Sequence, residues 1–403
     1  MRQPEGRDLN RLPALWIHLR SSLWFVPTLI VLGSIGGAIA LVESHTWSDR
    51  LLAIDWPRLF GAGAESSRAM LSAIATSMVT VAGVVFSVTV VSLSLASSQY
   101  SPRVLRNFMN DRPTQVVLGA FVGVFAYCLV VLRTIRSEEG QAFIPSIAVL
   151  VGIGYAFVAL ALLIYFIHHV ADSIQASAII ERIARETSVS IDRLFPEDVG
   201  EPVADPVAAE AHLPRRWTPV PIDRSGYLIE VDADGLLAIA TRLDRIVRLT
   251  PGVGDFLSQG DPAFELDGDR PVRDEDAQAL CATLELGRQR TVEQDAAFGL
   301  QQLVDVAVKA LSPGINDPST AVMCIDSLGA LLARLAPRSD PSPYRRDDGR
   351  LRVIATPSGF EPLLQLSFEA VIDHARGDVQ VLSALVRALA TIESRLDDTD
   401  RRR

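Results

Sequence analysis

Polar and charged residues gather in two short connections of the C-terminal half, and their types are those that bind cations and small ligands. The six residues are Arg290, Glu293 and Asp295 in the first connection, and Asn316, Asp317 and Thr320 in the second. Carboxylate, amide and hydroxyl oxygens are the ligands that hard cations prefer. If the fold brings the two connections together, these side chains form a polar pocket for a cation or a small ligand.

The second connection also has a purely structural interpretation. Residues 312–320 read Ser-Pro-Gly-Ile-Asn-Asp-Pro-Ser-Thr, which has the composition of a hinge between two helices. Gly314 can adopt a positive φ after one helix, Asp317 can cap the next, and Pro318 suits the first turn of that helix. Both interpretations stay open at the level of sequence.

A row of hydroxyl groups runs through the longest uncharged segment, Ala69 to Pro102, which contains no Asp, Glu, Lys or Arg. Steps of three and four residues place them on one face of a helix: Ser77, Thr80, Ser87, Ser94 and Ser98. Such hydroxyls can line a water-filled path, or they can bond to backbone carbonyls and lie at helix contacts. A helix over this segment would be roughly 50 Å long, which exceeds the roughly 30 Å hydrocarbon core of a membrane.

Two arginines follow this segment, in a short basic turn. Arg103 and Arg106 are predicted to lie at the cytoplasmic headgroups. They can bind lipid phosphates, or they can form a ring of positive charge at the mouth of a pore in an oligomer.

Signatures of catalysis, metal binding and cofactor binding are missing from the sequence. It contains no nucleophile elbow, phosphate-binding loop, zinc-protease motif or dinucleotide fingerprint. The widely spaced Cys128, Cys281 and Cys324 suggest neither a disulfide framework nor a zinc site, and His374 beside Asp373 favours a surface position. We therefore predict no enzymatic activity, no metal and no cofactor.

Composition indicates a membrane protein. The chain has 403 residues, 49% of them hydrophobic, and a mean hydropathy of +0.25, which is too apolar for an ordinary soluble protein of this size. The net charge of -10 argues against a nucleic-acid partner. We therefore expect membrane lipids as partners, with a small ligand or ion possible at the soluble half.

Four apolar spans are predicted: Leu23 to Val42, Ala69 to Pro102, Thr114 to Leu132, and Ile144 to Ile167. Arginines are concentrated on alternate sides, so both termini are expected in the cytoplasm and the protein in the plasma membrane. Small-residue motifs at Gly33 and Gly37, and at Gly119 and Gly123, indicate close helix packing within one bundle or between subunits.

The remaining chain predicts an α+β domain. Strands are expected at Gly226–Val231, Arg245–Leu249 and Leu351–Ala355, and helices at Asp234–Leu243, Asp274–Leu286, Ala296–Leu311, Pro318–Leu335, Glu361–Ala375 and Asp378–Leu396. The turn at Gly254–Leu266 is similar to that of biotinyl and lipoyl domains, without a modifiable lysine, and implies a small β subdomain.

The fold class predicted is therefore an α-helical membrane protein of four transmembrane helices with a C-terminal α+β cytoplasmic domain. Its divisions are a cytoplasmic segment at 1–22, the membrane domain at 23–170, a juxtamembrane helix and proline-rich linker at 171–224, the α+β domain at 225–396 and a charged tail at 397–403.

Three long motifs resemble a bacterial family of predicted membrane proteins catalogued as domain of unknown function 2254: residues 81–103, 290–299 and 310–318. The resemblance spans nearly the entire chain and implies no activity or substrate. From the residues alone, we expect a homo-oligomeric ion channel or transport-like protein regulated by its cytoplasmic domain. The alternative is a membrane-anchored sensor or scaffold that binds a ligand or protein, and a membrane enzyme is the weaker third.

Overall fold

The computed structural model describes residues 24–44, 63–99, 111–136, 143–194, 213–292, 295–338, 343–347, 349–355 and 359–396. The chain divides into two compact units, an N-terminal unit that ends at Gln175 and a C-terminal unit that begins at Ala176.

Four long apolar helices form the N-terminal unit, as the sequence predicts. They are α1 (Phe25–Glu43), α2 (Ala64–Gln99), α3 (Arg112–Thr134) and α4 (Ser146–Ser173). Each is long and apolar enough to cross a membrane. The 36 residues of α2 make it about 54 Å long, so it is longer than a hydrocarbon core is thick.

Helix α3 is the centre of this unit because it packs against α1, α2 and α4. A Cβ on Gly119 would lie 2.8 Å from Pro27 Cα of α1, and one on Gly123 would lie 2.7 Å from Ser34 Oγ. The motif at Gly119 and Gly123 therefore serves a close contact within the chain. In contrast, Gly33 has no neighbouring atom within 4 Å of an added Cβ.

The C-terminal unit combines helices and two sheets. Its strands are β1 (Trp217–Pro221), β2 (Gly226–Val231), β3 (Val247–Leu249), β4 (Phe256–Leu257), β5 (Pro262–Asp267), β6 (Leu284–Gly287), β7 (Tyr344–Asp347) and β8 (Arg350–Ile354). One sheet has the order β1-β5-β3-β8-β7 and the other has the order β4-β2-β6. This confirms the mixture of helix and sheet expected from the sequence.

The helices of this unit are α5 (Ala176–Leu194), α6 (Ala233–Leu243), α7 (Asp274–Ala282), α8 (Ala296–Ala310), α9 (Pro318–Leu335), α10 (Phe360–His374) and α11 (Val379–Glu393). Helix α8 packs against α5, α9 and α10, and α9 packs against α11. The helix expected to reach Leu286 ends at Ala282, because β6 begins at Leu284 and pairs with β2.

The C-terminal unit begins at Ala176, earlier in the chain than residue 225, where the sequence analysis begins the α+β domain. Helix α5 packs on α8 and α9, and the side chain of Ile183 is fully buried. Strand β1 lies within the predicted linker and pairs with β5. Both elements therefore belong to the C-terminal unit, and a break at Ile174 and Gln175 separates α5 from α4.

Candidate functional site

Helix α2 has two contrasting faces. Leu71, Ala75, Ala82 and Val85 are buried in the N-terminal unit's core. The packing is close at one end, where a Cβ on Gly152 of α4 would lie 2.9 Å from Leu71 Cδ2. This face holds α2 against the rest of the unit.

The predicted hydroxyl row lies on the other side of α2. Its members Ser77, Thr80, Ser87, Ser94 and Ser98 are all exposed in the single chain. A turn of about 100° per residue places them roughly opposite the buried face. Val84 and Val91 continue the row and are 57% and 54% exposed. No described helix of this chain covers the row.

Some of these hydroxyls already bond to their own helix. Thr80 Oγ1 donates to the Thr76 carbonyl at 2.9 Å, and Ser98 Oγ donates to the Leu95 carbonyl at 3.0 Å. A hydroxyl that donates to a carbonyl keeps its oxygen lone pairs as acceptors. The row therefore offers a line of acceptor oxygens on an otherwise apolar surface.

The arginines predicted beyond α2, Arg103 and Arg106, lie outside the described residues. The next described feature is Asp111, which caps α3 by accepting from Thr114 N at 3.2 Å. Its Oδ2 also lies 2.8 Å from His169 Nε2 near the end of α4, and the His169 ring stacks on Tyr165 with a centroid distance of 5.6 Å. The sequence analysis did not single out His169, because no local pattern links it to Asp111, which lies 58 residues earlier in the chain.

The first predicted polar group, in the C-terminal unit, is a structural junction. Asp295 caps α8 by accepting from Phe298 N at 2.9 Å, and Arg290 Nε donates to its Oδ2 at 2.7 Å. Gly254 has a φ of 96°, and a Cβ there would lie 2.5 Å from Asp295 Oδ2. The pair therefore ties the glycine turn to the start of α8. Glu293 lies outside the described residues.

The second predicted polar group forms the turn between α8 and α9. Asp317 caps α9, accepting from Thr320 N at 3.1 Å and from Thr320 Oγ1 at 2.6 Å. The hydrogen bond from the Thr320 hydroxyl is the main reason that the pKa of Asp317 is below its usual value. Asn316 adopts a φ of 50°, a conformation that Asn tolerates. It takes the left-handed role that the sequence assigned to Gly314.

These two groups do not form one pocket. Asp295 precedes the first residue of α8, and Asp317 follows its last turn. The 15 residues of α8 separate them by about 22 Å. The five described residues of the predicted cluster therefore fall into two groups, one at each end of α8.

Comparisons with known proteins show what this chain is similar to. The chain matches the family model described as Predicted membrane protein (DUF2254) over residues 20–391. Similar proteins, described as uncharacterized, occur in Mycobacterium bovis and Mycobacterium tuberculosis. Each is 34% identical over 404 residues, covering 98% of this chain and 76% of the relative. No solved structure matches the chain.

Proposed function

We propose, from the premise that this chain belongs to the family of predicted membrane proteins described as DUF2254, that it forms a homo-oligomeric channel or transport-like path in the bacterial inner membrane. The hydroxyl row of α2 would line that path. The observation that carries the proposal is the position of the row, which is exposed and lies opposite the face that packs within the chain.

The physical argument concerns what such a row can face. Hydroxyl groups gain little from contact with hydrocarbon, so a row of five favours another helix or water. No described helix of the same chain takes this position, and other copies of the chain could take it. A ring of copies that turns the row inward gives a lumen with acceptor oxygens at regular intervals.

The short connection between α4 and α5 supports regulation of the proposed path by the C-terminal unit. Only Ile174 and Gln175 lie between these helices, and α5 is part of the core of the C-terminal unit. A rearrangement of that unit around a ligand or partner would therefore act on α4 through a two-residue link.

The topology proposed has both termini in the cytoplasm, because the arginine-rich segments alternate along the chain. Introduced cysteines would test it with an impermeant thiol reagent on intact cells. A cysteine in place of Ser137 should react, and one in place of Asn110 should be protected. The opposite pattern would invert the topology.

Flux through proteoliposomes tests the channel itself. Wild-type vesicles should leak potassium, sodium, chloride or protons faster than empty vesicles, and Ser87→Leu should reduce that flux because a larger apolar side chain narrows and dries a lumen. Ser72→Leu is the matched control, since Ser72 is exposed on α2 but lies off the row. If ion flux from wild-type vesicles is no faster than from empty vesicles, the proposal is wrong.

One observation favours the second candidate, a membrane-anchored sensor or scaffold. The hydroxyls of Thr80 and Ser98 bond to carbonyls of their own helix, which is how hydroxyls are accommodated in helices that only pack or face lipid. In that case α2 would serve assembly and anchoring. Assembly without flux would select this candidate.

A further inference from the structure

Helix α11 exposes an apolar row on the surface of the C-terminal unit. Val379, Leu382, Val386 and Leu389 are 76%, 40%, 66% and 40% exposed. They are four of the eight large hydrophobic side chains that are exposed in the described part of this unit. Single exposed hydrophobics are ordinary, but a contiguous row of them marks an interaction surface.

The same helix is already packed on another face. Val381, Ala384, Leu385, Ala388 and Ile392 are buried, and the contact with α9 is close, because a Cβ on Gly329 would lie 2.8 Å from Ala388 Cβ. The exposed row is therefore not needed to hold α11 in place. It is additional to the amphipathic pattern of a surface helix.

The spacing of the row is that of a seam between two helices. Steps of three, four and three residues separate Val379, Leu382, Val386 and Leu389, which is the a and d pattern of a heptad repeat. A row with this spacing is complementary to itself, so a second copy of the same helix can pack against it in an isologous contact. Arg387 at its edge lies 3.9 Å from Asp326 of α9, so the positive charge beside the row has a partner of opposite sign within the chain.

The size of the row argues against a freely diffusing partner. The exposed fractions add up to little more than two whole side chains, which is about 200 Å² at roughly 60 to 120 Å² for each. A stable contact between freely diffusing proteins needs about 800 Å² from each partner. Chains held in one membrane have a high effective concentration, so a small contact suffices for them.

We propose that the exposed row of α11 is an interface between two copies of this chain. The proposal takes from the proposed function only that copies share a membrane. The α11 contact joins the C-terminal units of two copies, so that a conformational change in one copy alters the conformation of its neighbour.

Cysteine cross-linking of the full-length protein in membranes tests the contact. The background variant is Cys281→Ser, because Cys128 and Cys324 are buried. With a short bismaleimide, Val386→Cys should shift most of the protein to twice the monomer mass. Gln380→Cys, exposed on the same helix but off the row, should give only background. Equal cross-linking of both variants, no cross-linking of Val386→Cys, or linking to a different protein would overturn the proposal.

A second variant distinguishes a specific contact between two α11 helices from random collision of chains in the membrane. Val386→Asp places a charge in the row, so it should abolish cross-linking through Leu382→Cys, whereas Gln380→Asp should not. Val386 is largely exposed, so the substitution leaves the fold intact. Persistence of the Leu382→Cys link would refute the interface. Flux with no cross-link would overturn the α11 contact alone, and a cross-link with no flux would overturn the channel alone.

Discussion

Shortening Ile183 to alanine should destabilise the C-terminal unit, although the sequence places this residue in a juxtamembrane helix outside the soluble domain. The Ile183 side chain is fully buried, and α5 packs against α8 and α9. Removing a buried isoleucine side chain beyond Cβ costs about 2–5 kcal/mol through lost transfer energy and the cavity that remains. That is a large share of the roughly 5–15 kcal/mol that stabilises a typical domain.

The same reasoning fixes where a soluble fragment must begin. Ile179, Ile180, Ile183 and Ile191 are all at least 97% buried, and burying four such side chains contributes roughly 6–12 kcal/mol as an upper estimate. A fragment of residues 176–396 should therefore unfold cooperatively. A fragment that starts at residue 225 lacks both α5 and β1, and it should not.

Urea unfolding of the 176–396 fragment, followed by circular dichroism, measures the effect of Ile183→Ala. The matched control is Val189→Ala on the same helix, where the side chain is 49% exposed and the cost should stay within about 0.5 kcal/mol. The slope with urea should not change, since the extent of the folded unit is the same. If Ile183→Ala costs no more than Val189→Ala, the packing of α5 in this unit is wrong.

Two further predictions concern the turn between α8 and α9 and a buried thiol. Asp317→Ala removes the α9 cap and should lower the free energy of unfolding by about 0.5–2 kcal/mol, whereas Asp317→Asn should retain most of it. Because the folded-state pKa of Asp317 is lowered, its stabilisation is complete above the unfolded pKa of about 3.9 and is lost as the pH falls through the folded value. The difference between wild type and Asp317→Ala should therefore shrink in acid, and a difference that grows would contradict the cap. Burial raises the pKa of the Cys324 thiol, so iodoacetamide should modify it only after unfolding, as mass spectrometry would show; rapid modification of the folded protein would contradict this.

The sequence predicted those elements that local patterns specify. The four apolar helices, the cap at Asp317 and the first-turn position of Pro318 follow from hydropathy and from the chemistry of helix ends. Strand β1 was missed because Pro219 and Pro221 read as linker residues. The structure accommodates them because β1 is an edge strand, where a missing N–H leaves no partner unpaired.

The described residues of the predicted polar pocket lie in two separate groups for a different reason. Its two groups each contain an acid followed three residues later by the N–H that it accepts, at Phe298 and at Thr320. That spacing is the signature of a helix N-cap, and two caps on successive helices are separated by the length of the first helix. The two groups could lie close together only if α8 were absent or broken. The unbroken row of apolar residues along this segment argues against both.

The hydroxyl row of α2 and the apolar row of α11 are both exposed in the single chain. Only 11% of the most apolar stretch of α2 is buried within the chain, compared with 56% of the corresponding stretch of α3. Helix α2 therefore presents most of its surface to whatever surrounds the unit. Lipid satisfies exposed valines there but adds little for the hydroxyls of the row. In the proposed topology α11 lies on the cytoplasmic side, where contact with another protein surface would bury its exposed valine and leucine side chains. A second copy of the chain against each row, as proposed above, would remove the hydroxyls from lipid and the valine and leucine side chains from water.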